Sequence, residues 1–228
     1  MSESNFVQLT ALVCEPVRAK VLWKLLDGKA YTATELAHWV DVSPTSISNH
    51  LNKLLKAEVL KVVPSGRYRY YSFANSQVAY AIESLANLVP EDTQDKKRKK
   101  DSKSGVTYCR SCYDHLAGYV GVTLTQAMVK RGYLKPSGKD FLVSSQGWEW
   151  LALIGIEKSY FLNSRRPLAR QCLDWSERRA HLAGHLGAVF LEKGRENHWF
   201  KSVKFSRELI ITSKGRQELY ALLDLDFQ

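Results

Sequence analysis

The 228-residue sequence predicts a mainly α-helical chain with small β-hairpin wings, an α+β protein in two folded parts. Three observations predict it. Apolar residues recur at helical spacing through residues 1–89. Within that stretch VLKVVPSGRYRYYSF switches to β-branched and aromatic residues around Pro64-Ser65-Gly66, the mark of a hairpin. Beyond a charged segment, two similar blocks follow one another.

In the first part, EPVRAKVLWKLLDG places Val17, Val21, Leu22, Leu25 and Leu26 at helical spacing and stops at Gly28. TATE (32–35) is a capping box, in which Thr32 caps and Glu35 reaches back, so TATELAHWV is a short second helix. Ser43 caps a third helix and Pro44 suits its first position. That helix, PTSISNHLNKLLKAEVL, buries Ile47, Leu51, Leu54 and Leu55. The hairpin follows, and NSQVAYAIESLANLV resumes helical periodicity. Helix, helix, turn, helix, hairpin, helix is the order of a winged helix-turn-helix.

A helix that enters the DNA major groove needs short polar side chains on its leading face. Ser43, Thr45, Ser46, Ser48, Asn49 and Asn52 supply that face, and His50 and Lys53 add donors. Arg67 and Arg69 flank the hairpin turn, where they can meet a phosphate or enter the minor groove. A soluble helix with an ordinary polar face is the plainer alternative; the Ser-Pro start and the basic hairpin count against it. The net charge of +10 adds a general preference for polyanions.

CEPVRAKVLWKLL, TATELAHWVDVSPTSISNHLNKLLKAEVLK and the GRYRYYSF hairpin together resemble the ArsR/SmtB family of bacterial repressors, over about residues 5–89. The resemblance implies a homodimer, paired through the first and last helices of the domain, that binds a palindromic operator and represses transcription. It does not carry metal sensing with it. The family's cysteine cluster would fall at Glu35-Leu36-Ala37-His38, which has no cysteine, and the last helix has no histidine.

PEDTQDKKRKKDSKSG (90–105) has no aliphatic or aromatic residue and reads as a linker between 1–89 and 106–228. Its KKRKK cluster can touch phosphates or simply be solvated. In the second part, HLAGYVGVTLTQAMVKRGYLK (115–135) aligns without a gap on HLAGHLGAVFLEKGRENHWFK (181–201). After a two-residue insertion, DFLVSSQGWEWLALIG (140–155) aligns on ELIITSKGRQELYALLD (208–224). These predict a C-terminal domain built from an internal repeat of winged-helix-like units, about 115–156 and 181–224, each opening with a helix. Cys112–Gly118 and Leu173–Gly184 resemble the stretches CYDHLAG and LDWSERRxHLAG of longer regulators of this type.

CRSCYDH (109–115) leaves three readings open. On a helix, Cys109, Cys112 and His115 lie along one side, and Cys172, His181 or His185 can complete a zinc set. A Cys-x-x-Cys beside Arg110 can instead be a thiol switch, with a Cys109–Cys112 or Cys14–Cys109 disulfide. Both histidines open an HLAG, so a shared structural role is the plain expectation, and the second copy shows no cysteine aligned with Cys109 or Cys112. No cofactor is then required, with zinc a candidate. A small-molecule pocket among Tyr108, Tyr113, Trp148, Trp150, Trp175 and Trp199 is a further candidate effector site.

The sequence therefore predicts a cytoplasmic, non-membrane, sequence-specific regulator that binds double-stranded DNA and is released by an effector or by thiol oxidation. A scaffold of tandem winged-helix units is the alternative. No G-x-S-x-G, P-loop, dinucleotide-binding or HExxH pattern points to an enzyme.

Overall fold

The computed structural model describes residues 2–89, 105–204 and 206–227. Residues 90–104 of the expected linker, with KKRKK, lie outside them. The chain divides into two compact units, Met1–Leu88 and Val89–Gln228.

The first unit runs α1 (Glu3–Cys14), α2 (Pro16–Leu25), β1 (Tyr31–Thr32), α3 (Ala33–Val40), α4 (Pro44–Lys56), β2 (Leu60–Ser65), β3 (Tyr68–Phe73) and α5 (Ser76–Ala86). Local chemistry fixes most of the boundaries. The Glu15 carboxylate accepts from the Val17 and Arg18 amides and starts α2 behind Pro16. Thr32 and Glu35 form the capping box of α3, which ends at Asp41 in the left-handed region (φ 59°). The Ser43 hydroxyl accepts from the Ser46 amide and starts α4. The core these helices share contains Val21, Leu22, Leu25, Leu36, Val40, Ile47, Leu51 and Leu54.

Three details differ from expectation. A separate helix, α1, precedes α2 and buries none of its residues. The wing is a three-stranded sheet in the order β1-β3-β2, because Tyr31 and Thr32 pair with Tyr71 and Tyr70. Pro64 and Ser65 belong to β2, opposite Arg69 and Tyr68, so the turn is Gly66-Arg67, with Gly66 at φ 58°. Proline is tolerated there because its position is exposed and needs no ladder donor.

The second unit runs β4 (Arg110–Cys112), β5 (His115–Ala117), α6 (Gly118–Lys130), β6 (Leu134–Ser137), β7 (Asp140–Val143) and α7 (Ser145–Leu153). A 3-10 turn at Lys158–Phe161 leads to β8 (Arg170–Leu173), β9 (Ala180–Ala183), α8 (Gly184–Glu196), β10 (Phe200–Ser202), β11 (Leu209–Ile211) and α9 (Ser213–Leu223). Antiparallel pair, helix, hairpin, helix thus occurs twice in the same order. β6-β7-β8-β9 form one antiparallel sheet, while β4-β5 and β10-β11 are separate pairs.

The HLAG segments do not open helices, as expected, but end strands. Ala117 and Ala183 are extended, and each helix begins at the glycine that follows. Gly118 and Gly184 lie at φ 77° and 80°. A Cβ on Gly118 would come within 2.8 Å of the Thr107 carbonyl oxygen, and one on Gly184 within 2.8 Å of that of Pro167. The packing is crossed: α6 lies on β9, and α8 lies on β5. The Leu182 amide of β9 donates to the Thr125 hydroxyl of α6 (2.9 Å). Trp150 stacks on Phe190, which meets Trp199 edge-on, in a shared core with Leu116, Val120, Leu151, Leu182 and Leu186.

Candidate nucleic-acid interface and Cys/His centre

Helix α4 holds its buried stripe inward and leaves the opposite face in water. Ser43, Thr45, Ser48, Asn49, Asn52 and Lys53 are exposed, and Ser46 is half-buried. Ser43 is engaged as the cap, and the Ser48 hydroxyl donates back to the Pro44 carbonyl (2.8 Å). His50 turns its Nδ1 toward the Glu15 carboxylate (3.2 Å), which itself caps α2. That contact ties α4 to the start of α2. In the wing, Arg67 and Arg69 are both exposed, and the Arg67 guanidinium lies 5.3 Å from the centre of the Tyr68 ring.

The second cluster lies in the second unit. CRSCYDH is not a helix but the β4-β5 hairpin, turning at Tyr113-Asp114 with Tyr113 at φ 58°. The register sets Cys112 directly opposite His115. In the neighbouring sheet, β8 and β9 set Cys172 directly opposite His181. Cys172 therefore stands to His181 as Cys112 stands to His115. The gap-free alignment hid this correspondence, because the chain between cysteine and histidine differs in length in the two strand pairs. The ligating atoms of Cys112, His115, Cys172 and His181 all lie within 4.8 Å of one another. Cys112, His115 and His181 are buried, and Cys172 is half-buried.

The two imidazoles face each other, Nε2 to Nε2, at 3.1 Å. Their other nitrogens face carboxylates. His115 Nδ1 lies 3.3 Å from Asp114 Oδ1, and His181 Nδ1 lies 3.5 Å from Asp174 Oδ2. Asp114 is gripped by both terminal nitrogens of Arg166 (2.6 and 2.9 Å). Burial works to raise its carboxyl, but hydrogen bonds from His115 and Arg166 outweigh that and hold it at about 2. Burial alone would lower His115; Asp114 and Cys112 beside it raise it to about 9.

Asp174 is wholly buried and links the turn after β8 to Arg110 of β4 and to the start of α6. It accepts from Arg110 (3.0 Å), the Gly118 amide (2.7 Å), and the amide and hydroxyl of Ser176 (2.9 and 2.7 Å). Burial opposes its charge, yet Arg110, His181 and these donors hold its pKa well below the carboxylate range. Asp114, Arg166 and Asp174 did not emerge as functional candidates from the sequence. Two of them had a signal in their position, Asp114 in the CYDH stretch and Asp174 in LDWSERR; Arg166 had none.

Two expected site residues fall outside the centre. Cys109 is buried in the apolar core, and desolvation pushes its thiol far up despite Arg110 alongside. Its burial works against the low-pKa thiolate expected of the Cys-x-x-Cys. Arg110 is already committed to Asp174. His185 follows the strand that carries His181, stacks edge-on against Phe161 (4.9 Å) and is not among the four clustered donors. The aromatic residues are likewise not one pocket. Tyr108, Trp150 and Trp199 are core, Trp175 lies against Arg110 (5.1 Å), and Tyr113 is exposed. Among the described residues, no helix is long and apolar enough to cross a membrane.

A model described as a helix-turn-helix domain matches residues 14–63, which span α2 to β2. The chain is 38% identical over 212 residues to the HTH-type transcriptional regulator YdfF of Bacillus subtilis, covering 93% of this chain and 94% of that protein. It is 34% identical over 83 residues to the transcriptional repressor SdpR of the same organism, covering 36% of this chain and 91% of SdpR. The NMR structure of the cadmium metal-sensor CMTR from Mycobacterium tuberculosis is 30% identical over 38% of this chain and 91% of its own, with a TM-score of 0.32.

Proposed function

We propose that this chain, which belongs to the winged helix-turn-helix transcriptional regulators, grips a palindromic operator as a homodimer and represses the genes it controls. The observation that carries the reading is the exposed, short-chained leading face of α4 beside a wing with two exposed arginines. Thr45, Asn49 and Asn52 reach base edges; Ser43, Ser46, Ser48 and Lys53 work at the backbone; Arg67 and Arg69 hold phosphate or minor groove. His50 acts from behind, seating α4 against Glu15.

Dimerisation through the first and last helices of the unit explains two apolar faces that a single chain leaves in water. α1 exposes Phe6, Val7 and Leu9, and α5 and its end expose Tyr80, Leu85 and Leu88. The second unit, read as two copies of one block over about 115–156 and 181–224, receives the signal that releases DNA. Matched glycines and a repeated element order support that reading.

The test is titration of labelled promoter DNA with the full chain at several salt concentrations. Replacing Arg67 and Arg69 with alanine is expected to weaken binding at least tenfold and to lower the slope of log affinity against log salt by about 2. Unchanged affinity and slope would remove the wing from the interface. Absence of salt-sensitive binding by the parent chain would remove the DNA-binding reading itself.

A further inference from the structure

We propose that Cys112, His115, Cys172 and His181 hold one Zn²⁺ in a closed four-ligand site that fastens the β4-β5 hairpin to the β8-β9 strands. This inference concerns the second unit alone and does not rest on the DNA-binding reading.

The first reason is the donor set. Two sulfurs and two imidazole nitrogens, with no oxygen among the four, are what tetrahedral zinc takes in structural sites. Zinc–nitrogen and zinc–sulfur bond lengths give a tetrahedron edges of roughly 3.3 Å between nitrogens and 3.8 Å between sulfurs. The two Nε2 atoms are 3.1 Å apart, and all four donors fall within 4.8 Å. Small side-chain adjustments bring such a set to bonding distance.

The second reason is the support behind the rings. Both Nδ1 atoms face carboxylates, Asp114 at 3.3 Å and Asp174 at 3.5 Å, each itself fixed by an arginine. This leaves both Nε2 atoms turned toward one buried centre, 3.1 Å apart and beside the two cysteines. Carboxylate behind imidazole is also the usual outer support of a metal-bound histidine.

The third reason is how the four residues are supplied. Each antiparallel pair gives one cysteine and the histidine opposite it. Three-residue strands such as β4 and β5 make few ladder bonds, so a tie across the two pairs stabilises an element that is otherwise weakly held. Four protein ligands leave no open position for water or substrate, which makes the ion structural rather than catalytic. Cys172, the half-buried member, is the side from which the ion enters.

The experiment is to purify the full chain under reducing conditions without chelator, then measure zinc by mass spectrometry and map thiol alkylation. One zinc per chain is expected, with Cys14 alkylated at once and Cys112 and Cys172 only after chelation. Chelation is expected to lower the melting temperature of the second unit by about 10 °C. Cobalt added to the apo chain should give the intense visible bands of a tetrahedral thiolate site. Cys112→Ser and His181→Gln should each lose the zinc, while Cys14→Ser and His185→Gln keep it. Should the first two variants misfold, the parent chain's zinc content and cobalt spectrum still decide. A folded, fully reduced parent chain with less than about 0.1 zinc, no cobalt bands and no response to chelator overturns the proposal. So does a Cys112–Cys172 disulfide in the anaerobically purified chain.

Discussion

Arg110 and Asp174 form an ion pair with neither side chain exposed, although 64 residues separate them in the sequence. Arg110 ends the approach to the first hairpin and Asp174 begins the turn of the second. Both have further partners. Arg110 also donates to the Val106 carbonyl (2.9 Å) and the Ser176 hydroxyl (3.2 Å), and Asp174 holds the amide that starts α6. Removing one member leaves the other charged, dry and unmatched. Asp174→Ala is expected to destabilise the second unit by about 3–5 kcal/mol, read by urea unfolding followed by tryptophan fluorescence. A cost below about 1 kcal/mol would mean that water reaches Arg110.

Glycines at positive φ are not equal in this fold. Gly184 has φ 80°, and its missing Cβ would meet the Pro167 carbonyl oxygen at 2.8 Å and the Arg170 amide at 2.9 Å. Gly155 has φ 76°, with nothing within 4 Å. Gly184→Ala is expected to cost at least about 2 kcal/mol, from strain and overpacking together. Gly155→Ala should cost about 1 kcal/mol, from the backbone alone. Equal losses for the two would show that the crossed packing yields to a methyl group.

Glu15 serves two elements, as cap of α2 and as partner of His50. Glu15→Ala is expected to lower the stability of the first unit by about 1 kcal/mol through the lost cap. His50→Ala should cost less, because a half-exposed pair contributes only about 0.2–1 kcal/mol. If His50→Ala instead abolished DNA binding with stability intact, His50 would read bases directly.

The apolar faces of α1 and α5 predict an unfolding midpoint that depends on concentration. Raising the chain concentration a hundredfold is expected to raise the melting temperature of the first unit. Phe6→Ser with Leu9→Ser should remove that dependence and give a monomer by sedimentation. A monomeric parent chain at micromolar concentration would assign those faces to another partner.

How far the sequence was legible follows from where each instruction resides. The capping box of Thr32 and Glu35, the Ser43-Pro44 start and the apolar stripe of α4 are local, so their elements could be read directly. The β4-β5 hairpin could not. Its strands are too short to show alternation, and what makes them strands is burial against α8 and a cross-strand partner. The same holds for the Cys/His centre. Cysteine and histidine were visible as candidates, but Cys172 joins Cys112 only through strand register. The intervening chain is Tyr113-Asp114 in one pair and residues 174–179 in the other. Cys109 misled because spacing says nothing of burial.

The crossed packing of α6 on β9 and α8 on β5 also bears on how the chain matures. As the ribosome delivers it, β5 and α6 emerge with no cover, and their cover is encoded some sixty residues downstream, after roughly three to twelve seconds of further elongation. During that interval the first half carries Leu116, Val120 and Leu124 bare, together with two unprotected donors, Cys112 and His115. The crossed packing can be completed only once Glu196, the end of α8, has cleared the exit tunnel. A stall or truncation before that point leaves a sticky half rather than a smaller folded protein.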